Sequence, residues 1–416
     1  MFFTQTFSAK TNIIASITSN AVVALLSIVF VPIYLRYIGV ESYGLIGIFS
    51  SVQVFVVLLD FGLSSTINRE LARLSAHDGK LQQMLDTKRT LEIPNWIASA
   101  GLALMLSGLA PVLAYFWIQP KNLPQHTVML ALVIMALNVS VQFSTNFYNG
   151  GLMGLQRQLL ASLINIICAA LRSFGSVFVL AFISSTIEAF LLWQGIIALV
   201  QFLFTKGSLN RILRRGGYGS FSKDILRSIW RFAAGMTGMT ALAVIVSQAD
   251  KLVLSRMLNL EDFGYYALAS LISNMAIAMV AGAMYQTFYP KFSHLVSTGN
   301  TDSLSDLYHR SCQLLAVLLL PIVVILSTFS YEILLIWTKN EGIARNASIL
   351  LSLIAIANGL QGLVYLAHAL QLAHGWTKLS FYLNLFALMF IVPLMIFGVY
   401  HYGAIGGALG CLVTTL

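Results

Sequence analysis

The sequence has little charge. Only 9% of its 416 residues are Asp, Glu, Lys or Arg, while 58% are hydrophobic, and the mean hydropathy is +0.83. Soluble domains carry roughly 25% charged residues, so this chain lacks the charge to cover a water-facing surface and must be solvated mostly by lipid. Acids are scarcest, at 15, and no two are placed as the acid and base of glycosyl transfer would be. The three cysteines, Cys168, Cys312 and Cys411, fall inside apolar segments. They read as small buried hydrophobes and suggest neither a disulfide framework nor a cysteine metal site. His77, His126, His294, His374 and His401 lie in or near loops and form no metal cluster, so no metal or cofactor is implied. A G-x-x-x-x-G-K-[ST] phosphate loop is missing, because the flexible basic stretch Gly216-Gly217-Tyr218-Gly219 lacks the following lysine; nucleotide hydrolysis of that kind is excluded. Alternating ten-residue strands are missing too, which excludes an outer-membrane barrel. External loops are short and leave no room for a catalytic domain, so an enzyme is disfavoured.

What the chain does have is apolar stretches of about 20 residues, the length a helix needs to cross roughly 30 Å of hydrocarbon. The fold class is all-α: a polytopic membrane protein of about twelve transmembrane helices. Spans are expected near Asn12–Leu35, Gly44–Thr66, Leu91–Trp117, Thr127–Tyr148, Leu159–Phe182 and Ile187–Phe204, then near Ser228–Ser247, Phe263–Tyr289, Ser311–Phe329, Ala347–Leu370, Leu379–Tyr400 and from Gly403 onward. The last is too short to span and reads as an incomplete or truncated helix. The first is too long for the core of a signal peptide and reads as a membrane helix. This divides the chain into a six-helix bundle over 1–205, a basic cytoplasmic linker over 206–227, and a second six-helix bundle over 228–416.

The net charge of +9 reflects loop lysines and arginines, not nucleic-acid binding. With the N-terminus inside, 15 of the 24 lysines and arginines fall in the cytoplasm and six outside, a clear positive-inside bias. Trp96, Trp117, Trp230 and Trp376 sit near span ends, as interfacial aromatics do.

An internal repeat organises the whole chain. Shifted by 220 positions, Arg36-Tyr37-Ile38-Gly39-Val40-Glu41-Ser42-Tyr43-Gly44 falls on Arg256-Met257-Leu258-Asn259-Leu260-Glu261-Asp262-Phe263-Gly264. The same shift places Gly62 on Gly282 and Asn138 on Asn358. Six spans per half is an even number, so both halves enter from the same side as parallel repeats, an arrangement transporters use for alternating access.

Charges inside a span cost about 2.5–3.5 kcal/mol at its centre and need a reason. Arg172 is the deepest, and no acid shares its span; it either pairs between helices or faces a wet cavity. Asp60 lies in the second span, where it pairs with a cation, lines the cavity or titrates. Arg231 and Arg310 lie near the cytoplasmic ends of spans seven and nine, where snorkelling is expected. Asp250-Lys251, just past span seven, reads as an interfacial ion pair or as a site of ion coupling. Asn138, Gln142 and Asn146 share one face of span four, and Asn358, Gln361, Tyr365 and His368 share one face of span ten. Lipid cannot satisfy amides, so both stripes should look inward, either to bond helices together or to line a central polar cavity. Glycine pairs such as Gly150/Gly154, Gly403/Gly407 and Gly406/Gly410 fit close helix packing.

Several motifs also carry a family resemblance. In the first half they are Phe30-Val31-Pro32-Ile33-Tyr34-Leu35-Arg36 through Glu41-Ser42-Tyr43-Gly44, then Leu59-Asp60-Phe61-Gly62-Leu63 with Asn68-Arg69. In the second they are Asp250-Lys251-Leu252-Val253-Leu254-Ser255, Phe263-Gly264-Tyr265-Tyr266-Ala267-Leu268-Ala269 and Tyr289-Pro290-Lys291-Phe292. Through them the chain resembles, essentially end to end, the bacterial O-antigen and capsular polysaccharide flippases of the multidrug/oligosaccharidyl-lipid/polysaccharide exporter superfamily. The resemblance implies a V-shaped cavity between two six-helix bundles in the bacterial inner membrane. It implies a cargo of undecaprenyl-pyrophosphate-linked oligosaccharide moved from the cytoplasmic to the periplasmic leaflet, with membrane lipids and polysaccharide polymerase or chain-length machinery as partners. On that expectation Arg172 attracts the pyrophosphate, the Asn and Gln stripes bond sugar hydroxyls, Arg69, Arg231 and Arg310 collect the headgroup, and Asp60 or Asp250 couples an ion. A multidrug or cation antiporter would instead place buried acids at the cavity centre. A peptidoglycan-precursor flippase shares the lipid phosphate, and an integral-membrane glycosyltransferase would need paired catalytic acids.

Overall fold

A computed structural model describes residues 9–60, 62–77, 79–213, 219–223, 242 and 244–415. Among these the chain is helical almost throughout: α1 Ala9–Leu59, α2 Leu63–Ser75, α3 Leu81–Val112, α4 Gln125–Gly154, α5 Gln158–Phe182 and α6 Ile187–Leu213. After α7, over 244–257, come α8 Leu260–Ser297, α9 Thr301–Thr328, the short α10 Ser330–Thr338, α11 Glu341–Ala373 and α12 Thr377–Thr415. The strand-like pairing among the described residues is an isolated bridge between Gln119 and Asn259.

Nine of these helices are long and apolar enough to cross a membrane. Two of them, α1 and α12, break internally at a glycine. The apolar part of α1, Ala15–Val56, has 42 residues, about 63 Å at 1.5 Å per residue against a core of roughly 30 Å. It breaks at Gly39, whose φ of 77° is open to glycine. The apolar part of α12 breaks in the same way at Gly403, φ 57°, so the expected spans one and two, and eleven and twelve, are each joined through a glycine. Most of span seven, Ser228–Ser247, and with it Arg231, lies outside the described residues.

Span two also differs from expectation. It stops at Leu59 and resumes as α2 after Gly62, a left-handed residue at φ 70°. Asp60 caps the new helix, accepting from the Ser64 backbone N–H at 3.0 Å and the Ser64 hydroxyl at 2.9 Å. Asn259, Asn300 and Asn340 cap α8, α9 and α11 likewise.

The chain packs as two units. The first holds Met1–Gly39, Phe49–Trp117 and Asn122–Val244. Its core joins Ile67 and Leu71 of α2, Leu91 of α3, Phe147 and Leu152 of α4, and Leu209 of α6. Gly150 and Gly154 of α4 rest against the backbone carbonyls of Ser64 and Asn68, leaving no room for a Cβ. The start of the expected linker is helical, because α6 runs on to Leu213. Just after the Gly216–Gly219 stretch the chain is pinned to α3: Ser220 N–H and hydroxyl both donate to Asp86 at 2.7 and 3.1 Å, and the Ser222 N–H donates to Thr90 at 3.0 Å.

The second unit holds Ile245–Leu416 together with Val40–Ile48 and Ile118–Lys121. Its core joins Ile277 and Ala281 of α8, Leu315 and Leu319 of α9, and Leu366 and Ala369 of α11. Within it the repeated motif meets its own copy. A Cβ on Gly44 would strike the Leu260 carbonyl, and a Cβ on Gly264 would strike the Val40 carbonyl, a reciprocal contact between positions that the 220-residue shift superposes. Glu41 and Glu261, also equivalent, both hold Lys121: one accepts its backbone N–H at 2.6 Å, the other its ammonium at 2.9 Å. Backbone contact this close leaves nothing flexible to yield. Gly44→Ala and Gly264→Ala should therefore each lower the melting temperature in detergent by several degrees, whereas Gly108→Ala, where a Cβ meets nothing within 4 Å, should leave it in place.

Candidate functional site

Arg172 sits 14 residues into α5, about 21 Å along the helix axis. It ends a chain of side chains joining α1, α5 and α6. Its Nη2 donates to Gln201 Oε1 at 3.0 Å, Gln201 donates to Asn165 at 3.4 Å, Asn165 to Ser19 at 3.3 Å, and Ser19 to the Ser162 carbonyl at 3.4 Å. A guanidinium has five N–H donors and accepts nothing, and this chain offers it one acceptor. Its Nε is buried without a hydrogen-bond partner, and no ion pair among the described residues includes Arg172. The arrangement has surplus donors and a positive charge, the complement of an anion.

The amide stripe of α4 divides. Gln142 and Asn146 line a cavity of about 190 Å³ with Gln53 and Val56 of α1, Val139 and Phe143, and the Gln53 amide donates to Gln142 at 2.6 Å. At roughly 30 Å³ per water the cavity holds about six, far less than an oligosaccharide. Asn138 does not join it. Its amide turns to α6 and donates to the Leu191 carbonyl at 3.0 Å, with Gly195 of α6 packed directly against it. Of the two alternatives for the stripe, Asn138 takes the helix-bonding one, as a residue 7% exposed in a helix interface must find a partner there.

In the second unit Asn358 of α11 donates to Ser273 at 2.9 Å and Asn274 at 3.0 Å on α8. Gln361, Tyr365 and His368 lie further along α11 and are exposed. Asp250 of α7 accepts from Tyr266 Oη at 2.7 Å, and Tyr266 also touches Cys411 Sγ at 3.4 Å. The anticipated Asp250–Lys251 ion pair does not form among the described residues; a buried phenol takes the carboxylate instead. Arg69 pairs with Glu70 at 2.8 Å, and Arg310 with Asp306 at 2.8 Å, so each of these arginines is already partly neutralised.

Sequence reasoning missed a charged cluster in the first unit. Glu92 of α3, 4% exposed, accepts from Tyr148 Oη at 2.6 Å through one oxygen. Its other oxygen meets Lys88 at 3.3 Å and Arg89 at 3.6 Å. The Lys88–Glu92 spacing of four was a readable signal, as were the intramembrane amides Asn165 and Gln201.

These features define a class first: a multi-pass helical membrane protein of duplicated build, with polar groups buried inside its helix bundles. The chain belongs to the polysaccharide biosynthesis protein family, whose sequence model matches residues 9–296. It is 25% identical over 329 residues to the succinoglycan biosynthesis transport protein ExoT of Rhizobium meliloti (strain 1021), covering 76% of this chain and 60% of that protein. Its fold is similar to that of a multidrug resistance MATE family transporter of the MOP superfamily in an inward-facing conformation, with TM-score 0.76, 16% identity and coverage of 96% of this chain and 95% of that one. It is similar as well to the lipid II flippase MurJ in an inward closed conformation, with TM-score 0.75, 14% identity, and coverage of 98% and 85%.

The two amides on α4 should separate by experiment. Asn138→Leu removes an interhelical bond worth about 0.6 kcal/mol on average in membrane proteins and crowds Gly195, so unfolding in detergent should shift downward. Gln142→Ala also gives up a bond, the one from Gln53 of α1, but it borders a polar cavity where water can take over that bond, so it should lower the unfolding temperature less than Asn138→Leu does.

Proposed function

We propose that the protein is a flippase, a carrier and not an enzyme, that moves undecaprenyl-pyrophosphate-linked oligosaccharide units from the cytoplasmic to the periplasmic leaflet of the bacterial inner membrane by alternating access, for O-antigen or capsular polysaccharide synthesis. The N-terminus is cytoplasmic on this reading. The working partners are the lipid-linked glycan, the surrounding lipids and the polymerase and chain-length machinery that uses the product.

The observation that carries the proposal is Arg172, a mid-bilayer cation with a buried Nε that has no partner and no acid paired with it among the described residues. A pyrophosphate cannot enter hydrocarbon without replacing its hydration, and guanidinium–phosphate bonds are charge-assisted and geometrically matched. Gln142, Asn146, Asn358, Gln361 and Tyr365 supply hydrogen bonds suited to sugar hydroxyls, while Asn138 ties α4 to α6. Membership of a polysaccharide biosynthesis family supports a glycan cargo, and the likeness to ExoT supports transport. With the inside negative, outward movement of the anion is downhill by about 2.3 kcal/mol per charge per 100 mV, so ion coupling modulates and does not drive. Asp250, bonded among the described residues through one oxygen, to Tyr266, suits that role better than Asp60, whose two oxygens both serve Ser64. An antiporter shares the fold, but its cationic cargo would be repelled by Arg172.

The test is translocation of a fluorescent lipid-linked oligosaccharide in reconstituted vesicles. Arg172→Ala should slow transport by about tenfold or more, roughly 1.4 kcal/mol of lost stabilisation, with Arg172→Lys intermediate and protein abundance unchanged. Wild-type rates in the alanine variant would remove Arg172 from the pathway.

A further inference from the structure

The charged cluster around Glu92 contains one cation that makes no direct bond to the carboxylate. Glu92 has two carboxylate oxygens and three suitors already: Tyr148 on one oxygen, Lys88 and Arg89 on the other. Lys206 of α6 acts on Glu92 through its charge but makes no direct bond to it among the described residues. Its ammonium lies 4.7 Å from the centre of the Trp96 ring, 5.5 Å from Phe202 and 5.9 Å from Tyr148, and it enters no ion pair among the described residues. The three rings are themselves fixed edge to face, Trp96 on Phe202 at 5.5 Å and Tyr148 on Phe202 at 5.6 Å, so the ammonium is held in a preset position.

Cation–π contact offsets part of the ammonium's lost hydration, yet among the described residues its N–H donors have no oxygen acceptor. Three cations gather here around one carboxylate, so the cluster is net positive. Its depth and its surroundings say what kind of anion can reach it. Lys206 is 19 residues along α6 from Ile187, about 28 Å at 1.5 Å per residue, which is the edge of a hydrocarbon core of roughly 30 Å. Headgroup phosphates lie at that level, and Trp96 is there as an interfacial aromatic. Trp96 is 39% exposed, and its neighbour Ile97 and the nearby Leu203 and Phe204 of α6 are exposed apolar side chains. That surface meets lipid, so the anion arrives as part of a lipid.

We propose that Lys206, set against the Trp96 ring beside the Glu92 cluster, is a docking site for the phosphate headgroup of a membrane lipid entering from the bilayer side of the first unit. The phosphate oxygens complete the donors of Lys206 and share Lys88 and Arg89 with Glu92. This site rests on the membrane placement of the helices and stands whether or not the translocation reading holds. Two lipids carry the required chemistry, an anionic phospholipid and a polyprenyl phosphate, and the experiment distinguishes them.

Native mass spectrometry of the intact protein in detergent, titrated separately with dioleoyl phosphatidylglycerol, undecaprenyl phosphate and dioleoyl phosphatidylcholine, should show Lys206→Gln losing about tenfold in affinity for at least one anionic lipid. Lys206→Arg should retain it, and phosphatidylcholine should bind both variants alike. A loss confined to undecaprenyl phosphate identifies the anchor of a polyprenyl-linked cargo; one confined to phosphatidylglycerol identifies a resident lipid. Amine acylation of the wild-type protein gives a second readout that no folding defect can blur, since the effective lipid should slow modification of Lys206. Undiminished binding of both anionic lipids by a folded Lys206→Gln protein, or equal acylation of Lys206 with and without them, would overturn the proposal.

Discussion

Lipid offers a buried polar group no water to bond, and most of this structure follows from that single constraint. Each amide or hydroxyl set among apolar helices must find a carbonyl, a carboxylate or another side chain. Asn138 finds the Leu191 carbonyl, Ser99 the Ser140 carbonyl, and Asn358 the pair Ser273 and Asn274. Where helices approach closest, glycine removes the side chain altogether and lets carbonyl meet backbone, as at Gly150, Gly154, Gly44 and Gly264. The polar residues and the glycines are two answers to one packing problem.

Charge tests the constraint hardest, and the first unit answers it in two opposite ways. Glu92 is oversupplied, with a phenol, an ammonium and a guanidinium on two oxygens. Arg172 is undersupplied, with one amide oxygen and a buried Nε that has no partner. A fully satisfied group is a structural element, whereas an unsatisfied one keeps free energy in reserve for whatever completes it. That contrast directs attention to Arg172 as a place for an anionic cargo, and it sets Lys206 apart from the lysines and arginines around Glu92.

The duplication is legible in sequence and only partly retained in chemistry. The Arg36–Gly44 motif and its copy not only match but touch, with each glycine against the carbonyl four residues before the other. Away from that contact the halves diverge. Gln53 and Gln142 bridge helices in the first unit, while their equivalents by the 220-residue shift are Ser273 and Gly362, and the bridge in the second unit is rebuilt from Asn358. The backbone repeat sets the scaffold; the side chains on it have specialised.

Composition and span length by themselves determined that the chain is helical and membrane-embedded, because hydrocarbon thickness and the shortage of charge admit few alternatives, and the internal match determined the duplicated build. Helical spacing also brought Gln142 and Asn146 to one face. Spacing does not say which neighbour a face will meet. Only the tertiary structure decided that Asn138 turns to α6, that Asp60 caps α2 after a left-handed Gly62, that the stretch around Ser220 is tied to α3, and that Val40–Ile48 packs with the second unit. The physical reason is the same throughout. Burial in lipid depends on length and hydropathy, which are local and additive, whereas the partner of a buried polar group depends on which helix happens to lie within 3 Å of it, and that is settled by the packing of the whole chain.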